Sequence, residues 1–258
     1  MDSDSKDRLP TIAAIALLAY VCADIAHHML GHGVACLLEG GQLHLLSSIF
    51  VNCSLTGSAI DLAGPLANLA LGLIAALVTH VVPRRATAAR LYCILLAAFN
   101  LLWFAMQLVF SAMTRTDDWA WPMRELHTAE PARYGMIAIG ALLYVSTVRW
   151  IGSELAGFAH QRARARIIVN TSWLTAGAIA CATAALDHQP VEAILRHALP
   201  QSMLTSSGLL FTPKRAGLLS SARAAQAVLG LSMPWIVAAA VAGAASVVWL
   251  GPGLAGAR

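Results

Sequence analysis

Charge is scarce in this chain. Of its 258 residues only 12% are Asp, Glu, Lys or Arg, about half the ~25% of soluble globular proteins. A disordered chain needs low hydrophobicity and much charge, so that class is excluded. Cysteine is sparse as well. The five present (Cys22, Cys36, Cys53, Cys93 and Cys181) are scattered and include no C-x-x-C pair. Neither a disulfide framework nor a cysteine zinc site is expected from them. They read as small apolar residues in or near membrane spans. Internal repeats and low-complexity linkers are absent too. Apolar residues take up the room: 58% of the chain is hydrophobic, against ~45–50% in soluble chains, and the mean hydropathy is +0.68. The sequence therefore reads as an all-α polytopic membrane protein, with 1–258 as a single integral membrane domain.

A bilayer-crossing helix needs ~20 mainly apolar residues. Six segments qualify, at about 10–37, 57–82, 90–113, 134–151, 167–186 and 224–250. The formal net charge of +4 fits positive-inside topology better than nucleic-acid binding. With the N-terminus inside and six spans, ten Lys and Arg fall on the cytoplasmic side and seven on the other. The expectation is six spans with both termini cytoplasmic, in the plasma (inner) membrane. Lys6 and Arg8 ahead of an apolar run give the first span the look of a signal peptide. No small-x-small site precedes a polar start, so the span reads as retained. The run Arg162-Ala163-Arg164-Ala165-Arg166 reads as a cytoplasmic anchor near anionic headgroups. Residues 188–223 read as a long connection lying on the outer surface or covering a site.

The first span carries ionisable groups in Asp24-Ile25-Ala26-His27-His28-Met29-Leu30-Gly31-His32. Each Asp placed in a membrane helix costs ~2.5–3.5 kcal/mol on the insertion scale, so a cluster needs a compensating partner. On a regular helix Asp24, His28 and His32 stack at i, i+4 and i+8. His28 and His32 then grip one cation, zinc being the usual guest of such a pair. Asp24 either accepts from the other nitrogen of His28 or ligates the metal itself. On the same geometry His27 points ~100° away and serves packing or a contact behind a ligand. A stripe of interhelical hydrogen bonds is the plainer alternative.

The stretch His28-Met29-Leu30-Gly31-His32-Gly33, followed by Leu37-Leu38-Glu39-Gly40-Gly41, resembles the zinc motif of the site-2-protease family of intramembrane metallopeptidases, H-E-x-x-H with a later G-G turn. Met29 stands where that family has its catalytic glutamate, and a thioether cannot take a proton from zinc-bound water. The resemblance implies a short re-entrant hairpin over Gln42 to Asn52. Asp61-Leu62-Ala63-Gly64-Pro65-Leu66-Ala67-Asn68 reads as small-residue helix packing in which Asn68 bonds across helices or to a substrate backbone; it is also similar to the family's second-span G-P-x-x-N pattern, which implies that Asn68 steadies substrate. Phe99-Asn100-Leu101-Leu102 is similar to F-N-L-L-P, with Trp103 in place of the proline. Asp118-Trp119 takes the place of the later Asp-Gly, which makes Asp118 the implied third zinc ligand and Asp117 its alternate. The similarity covers about 10–120, and 121–258 are additional spans.

Taken together, the expectation is a membrane-embedded zinc metalloprotein with His28, His32 and Asp118 as ligands, and Asp24 and Asn68 in the catalytic surroundings. It is either a divergent intramembrane peptidase acting on a membrane-embedded protein or an inactive relative that binds clients or metal. A non-enzymatic transporter or scaffold that uses the Asp/His stripe is the alternative. A haem or electron-carrier protein would need more intramembrane histidines than are present. His44, in the hairpin region, is a further candidate for the site. His80, His160, His188 and His197 read as isolated residues near span ends or in loops.

Overall fold

The computed structural model describes residues 7–83, 85–156, 162–214 and 228–255. It is an all-α bundle with one small sheet. Among the described residues six helices are long and apolar enough to cross a membrane: α1 (Leu9–Leu38), α2 (Ser58–Val81), α3 (Thr87–Thr114), α5 (Glu130–Ala156), α6 (Arg162–Ala184) and α8 (Met233–Leu250). Pro10 and Pro234 sit in the first turns of α1 and α8, where the missing N–H costs nothing. A short helix α4 (Ala120–Glu125) follows α3.

Helix α3 forms the centre. Its most apolar stretch is 78% buried against 22% for the matching stretch of α5, so α5 shows most of its surface to lipid. Around α3 pack α1, α2 and α5. The core joins Ile12, Ile15 and Ala19 of α1 to Ile94, Leu95 and Leu102 of α3 and to Ile168 and Val169 of α6. Small residues set the closest approach. A Cβ on Gly31 would lie 2.5 Å from the Cα of Gly64, so α1 and α2 touch backbone to backbone there. Such contacts favour association in lipid, where no hydrophobic force draws helices together.

The expected hairpin follows α1. Strands β1 (Leu43–Leu46) and β2 (Val51–Cys53) pair antiparallel, and β1 also pairs with β3 (Leu254–Ala255). Gly40 adopts φ +81° at the turn out of α1, a conformation that costs glycine little. The expectation of unpaired cysteines is overturned here, because Cys36 and Cys53 form a disulfide that ties the end of α1 to β2. The sequence hid it because 17 positions separate the two and no local spacing marks such a pair. Gly41 fits against it, since a Cβ there would lie 2.7 Å from Cys53 Sγ.

The six expected spans are found, but the segment after Arg8 and strand β3 lie at opposite ends of the bundle rather than on one side. Residues 190–211, expected as a loop, form a broken helix, α7. Its first turn is Pro190–Glu192, followed by π stretches Ala193–Ala198 and Pro200–Leu204 and a 3-10 run Thr205–Phe211. It runs antiparallel to α6 through the bundle. Trp173 Nε1 donates to the Met203 carbonyl, and Gly208 N donates to the Tyr144 hydroxyl halfway down α5. The chain then re-enters α8 beside the start of α1: Arg8 N bonds the Leu229 carbonyl at 2.9 Å, and Ser232 N bonds Thr11 Oγ1 at 3.0 Å. Thus α8 runs parallel to α1, and β3 lies at the hairpin face, opposite Asp7. Glu192, Arg196, His197 and the serines and threonines of α7 keep its hydropathy below that of a span, which is why the sequence reading passed over it. His160, Arg215 and Arg223 lie outside the described residues.

Candidate metal centre

The first helix is not regular where its polar residues lie. Ala26–Gly33 is a π-helical stretch, in which hydrogen bonds run from i to i+5. A regular helix separates i and i+5 by ~140°. The wider turn instead brings His27 and His32 onto one side. Their Nε2 atoms lie 3.1 Å apart. Asp118 Oδ2 completes a triangle, 3.0 Å from His27 Nε2 and 3.3 Å from His32 Nε2. These three residues form a group able to hold a metal ion. His28, the expected ligand, is not in this group: its Nδ1 meets Asp24 Oδ1 at 3.1 Å. The structure therefore places His27, rather than His28, with His32 and Asp118. The reason is the extra residue that the π turn absorbs.

Each ligand side chain is held from behind. His32 Nδ1 lies 2.8 Å from the Ile60 carbonyl, an oxygen that only accepts, so this nitrogen carries the proton. His27 Nδ1 lies 3.1 Å from Asn68 Oδ1. With both Nδ1 atoms donating, both neutral imidazoles present bare lone pairs at Nε2. Two lone pairs and a carboxylate oxygen then converge within about 3 Å. They repel unless a cation lies between them. Tetrahedral zinc at 2.0–2.1 Å from each ligand would space them by about 3.3 Å, close to the distances found. The donor set fits a divalent metal with three protein ligands.

The second helix supplies the space. A Cβ on Gly64 would overlap the His32 imidazole, so Gly64 in Gly64-Pro65 is the gap that receives that ring. Asn68 is fully buried and sits behind His27, with its Nδ2 unpartnered. Its contact is with a ligand ring, as a residue that orients a metal ligand makes. On α3, Trp103 stacks on His27 with ring centroids 4.6 Å apart and 14° between planes. Gln107 Nε2 donates to Asp118 Oδ2 at 2.6 Å.

Asp118 reaches the site because α3 ends abruptly. Arg115 and Asp117 take positive φ, 59° and 70°, and the chain folds back beneath the helix. Burial pushes the Asp118 carboxyl up, but hydrogen bonds and charge attraction from His27 and His32 outweigh it and hold the group well below the usual carboxylate range. Burial and repulsion from Asp118 push Asp117 up to about 7. Asp118 is therefore the anionic member of the pair and Asp117 its neighbour in the wall.

Of the residues singled out in the sequence, His32, Asp118 and Asn68 come together here, whereas Asp24 bonds His28, whose ring only packs beside His27. His44 is exposed on β1 and is no part of the group. The sequence reading missed His27. Its only signal was the presence of two adjacent histidines, and a regular helix puts the other one, His28, on the face of His32. Scans of protein-family models, curated proteins and solved structures find no match to this chain.

Proposed function

We propose that this protein is a membrane-embedded zinc metallopeptidase of site-2-protease type, with His27, His32 and Asp118 as the metal ligands. The observation that carries the metal reading is the convergence of two Nε2 lone pairs and one carboxylate oxygen inside the helical bundle. Three protein ligands leave a fourth position open, the pattern of catalytic rather than structural zinc. Zinc held there supplies a bound water acidic near pH 7 and a Lewis acid for a peptide carbonyl.

The assignment of His27 also reframes the missing glutamate. In H-E-x-x-H the glutamate directly follows the first ligand. Here the residue directly after the first ligand is His28, and the spacing to the second ligand is one longer, as the π turn allows. The Asp24 carboxylate accepts from His28 Nδ1, which fixes the tautomer with a free lone pair on Nε2. We assign His28, whose ring lies beside that of His27 with centroids 4.8 Å apart, as the group that takes a proton, with Asp24 orienting it. Asn68 and the Ile60 carbonyl hold the two ligand rings, and Trp103 excludes water from the outer face of His27.

Elemental analysis of the detergent-purified protein tests the metal reading. About one zinc per chain is expected in the unmodified protein, and none in His32→Ala or Asp118→Ala. Unchanged metal in both variants would overturn the site. Hydrolysis is tested on a membrane-embedded peptide in nanodiscs: zinc-loaded protein cuts it, and His28→Ala keeps its zinc but loses cleavage. A zinc-loaded protein that cuts no such peptide would reduce the proposal to a metal-binding protein.

A further inference from the structure

The two faces of the bundle differ in charge and in redox chemistry. Because α7 carries the chain across and α8 returns it, the connections divide differently from the six-span count. Among the described residues, Arg8, Arg85, Arg90, Arg149, Arg162, Arg164, Arg166 and Lys214 lie at the face of Asp7, eight in all. The hairpin face has four: Arg115, Arg124, Arg133 and Arg196. On the same residues the six-span reading divides seven to five, so the added crossing strengthens the positive-inside signal for a cytoplasmic Asp7 face. An independent observation agrees with it. The Cys36–Cys53 disulfide lies at the other face, and disulfides persist in oxidising compartments.

The metal centre sits toward the hairpin face. Asp118 lies in the connection after α3 at that face, and a cavity of about 400 Å³ between α3 and α7 adjoins it. Trp103, Met106 and Phe110 form its apolar wall, and Asp117, Gln107 and Gln201 add polar groups. Two of these residues touch ligands, Trp103 stacking on His27 and Gln107 bonding Asp118. The rim residues Phe110, Thr116 and Glu192 lie at the helix ends of the hairpin face.

We infer that the site receives both its metal ion and its substrate from the oxidising, non-cytoplasmic side, through the cavity between α3 and α7. The mixed lining suits an apolar chain segment with a polar flank, as the emerging end of a membrane-spanning polypeptide has. The access route rests on the metal reading above, whereas the orientation does not.

Two measurements test the inference. In the first, alkaline phosphatase, which needs disulfides to be active, is fused to either end of the full chain. Activity is expected from the C-terminal fusion and not from the N-terminal one. Equal activity at both ends, or the reverse pattern, would overturn the orientation whether or not metal binds. In the second, a membrane-impermeant chelator is added to vesicles of each orientation that carry the zinc-loaded protein. Zinc should leave at least tenfold faster when the hairpin face is outside, and Gln201→Trp, which fills the cavity without touching a ligand, should slow that release. Equal release from both orientations, or release unaffected by Gln201→Trp, would overturn the route. Protein without zinc in either vesicle would overturn the metal reading and the route with it, while the fusions still decide orientation.

Discussion

His27 and His28 are neighbours in sequence, both buried at 2% and 4% exposure, and their ring centroids are only 4.8 Å apart. Yet one faces His32 and Asp118 and the other faces Asp24. Side-chain chemistry does not separate them. The hydrogen-bonding pattern of eight backbone residues does, since a π turn places i+5 where a regular helix places i+4. The lesson is that metal-ligand spacing on a helix depends on which helix is formed. Such π turns occur often at functional sites.

The difference between the two histidines can be broken most directly by substitution. His27→Ala should reduce bound zinc from about one per chain to none, whereas His28→Ala should leave it in place; elemental analysis decides. The opposite result would restore the regular-helix assignment. Acid should give the next effect. The ligand nitrogens must be unprotonated to hold metal, so zinc should be retained at neutral pH and released as pH falls below the ~6.5 of a free imidazole. An equilibrium titration with a zinc-sensitive dye follows it.

The partners behind each ring sharpen the comparison. Asn68→Ala removes the acceptor for His27 Nδ1 and should weaken zinc binding about 10- to 100-fold. Asp24→Asn, behind His28, should change affinity by less than about threefold while lowering hydrolysis, as competition with a chelator and a cleavage assay would show. The smallest effect on the site should come from the hairpin. Replacing Cys36 and Cys53 by Ser frees a loop whose closure contributes about 3 kcal/mol on the chain-entropy account. The melting temperature should fall while zinc stoichiometry stays near one.

The long apolar helices were legible because lipid imposes a length and a composition on anything that crosses it. Five of the six spans agree with the structure to within a few residues. The last, at 224–250, begins earlier in the sequence reading than α8, which starts at Met233. The hairpin was legible through the motif that precedes it, and His32, Asp118 and Asn68 through their order along three spans. What stayed hidden has a common cause. Residues 190–211 pack one side against α3, α5 and α6, so Ser202, Thr205 and Ser206 are buried against protein, whereas Glu192 and Arg196 are exposed. Tyr144, for example, bonds the backbone of Gly208 and the hydroxyl of Ser207. Hydropathy registers only the lipid-facing requirement, so such a segment does not stand out.

By itself, then, the sequence determined that the chain is a helical membrane protein with a polar cluster on its first span, because composition and period are local properties. Tertiary structure decided the rest. It chose His27 over His28 by widening one turn. It gave His32 its place through the missing side chain of Gly64. It joined Cys36 to Cys53 across a hairpin and packed residues 190–211 against α6 as a broken helix. The first rests on the backbone hydrogen bonding of eight consecutive residues; the others depend on contacts between residues far apart in sequence, where packing and hydrogen bonding override what any single segment favours.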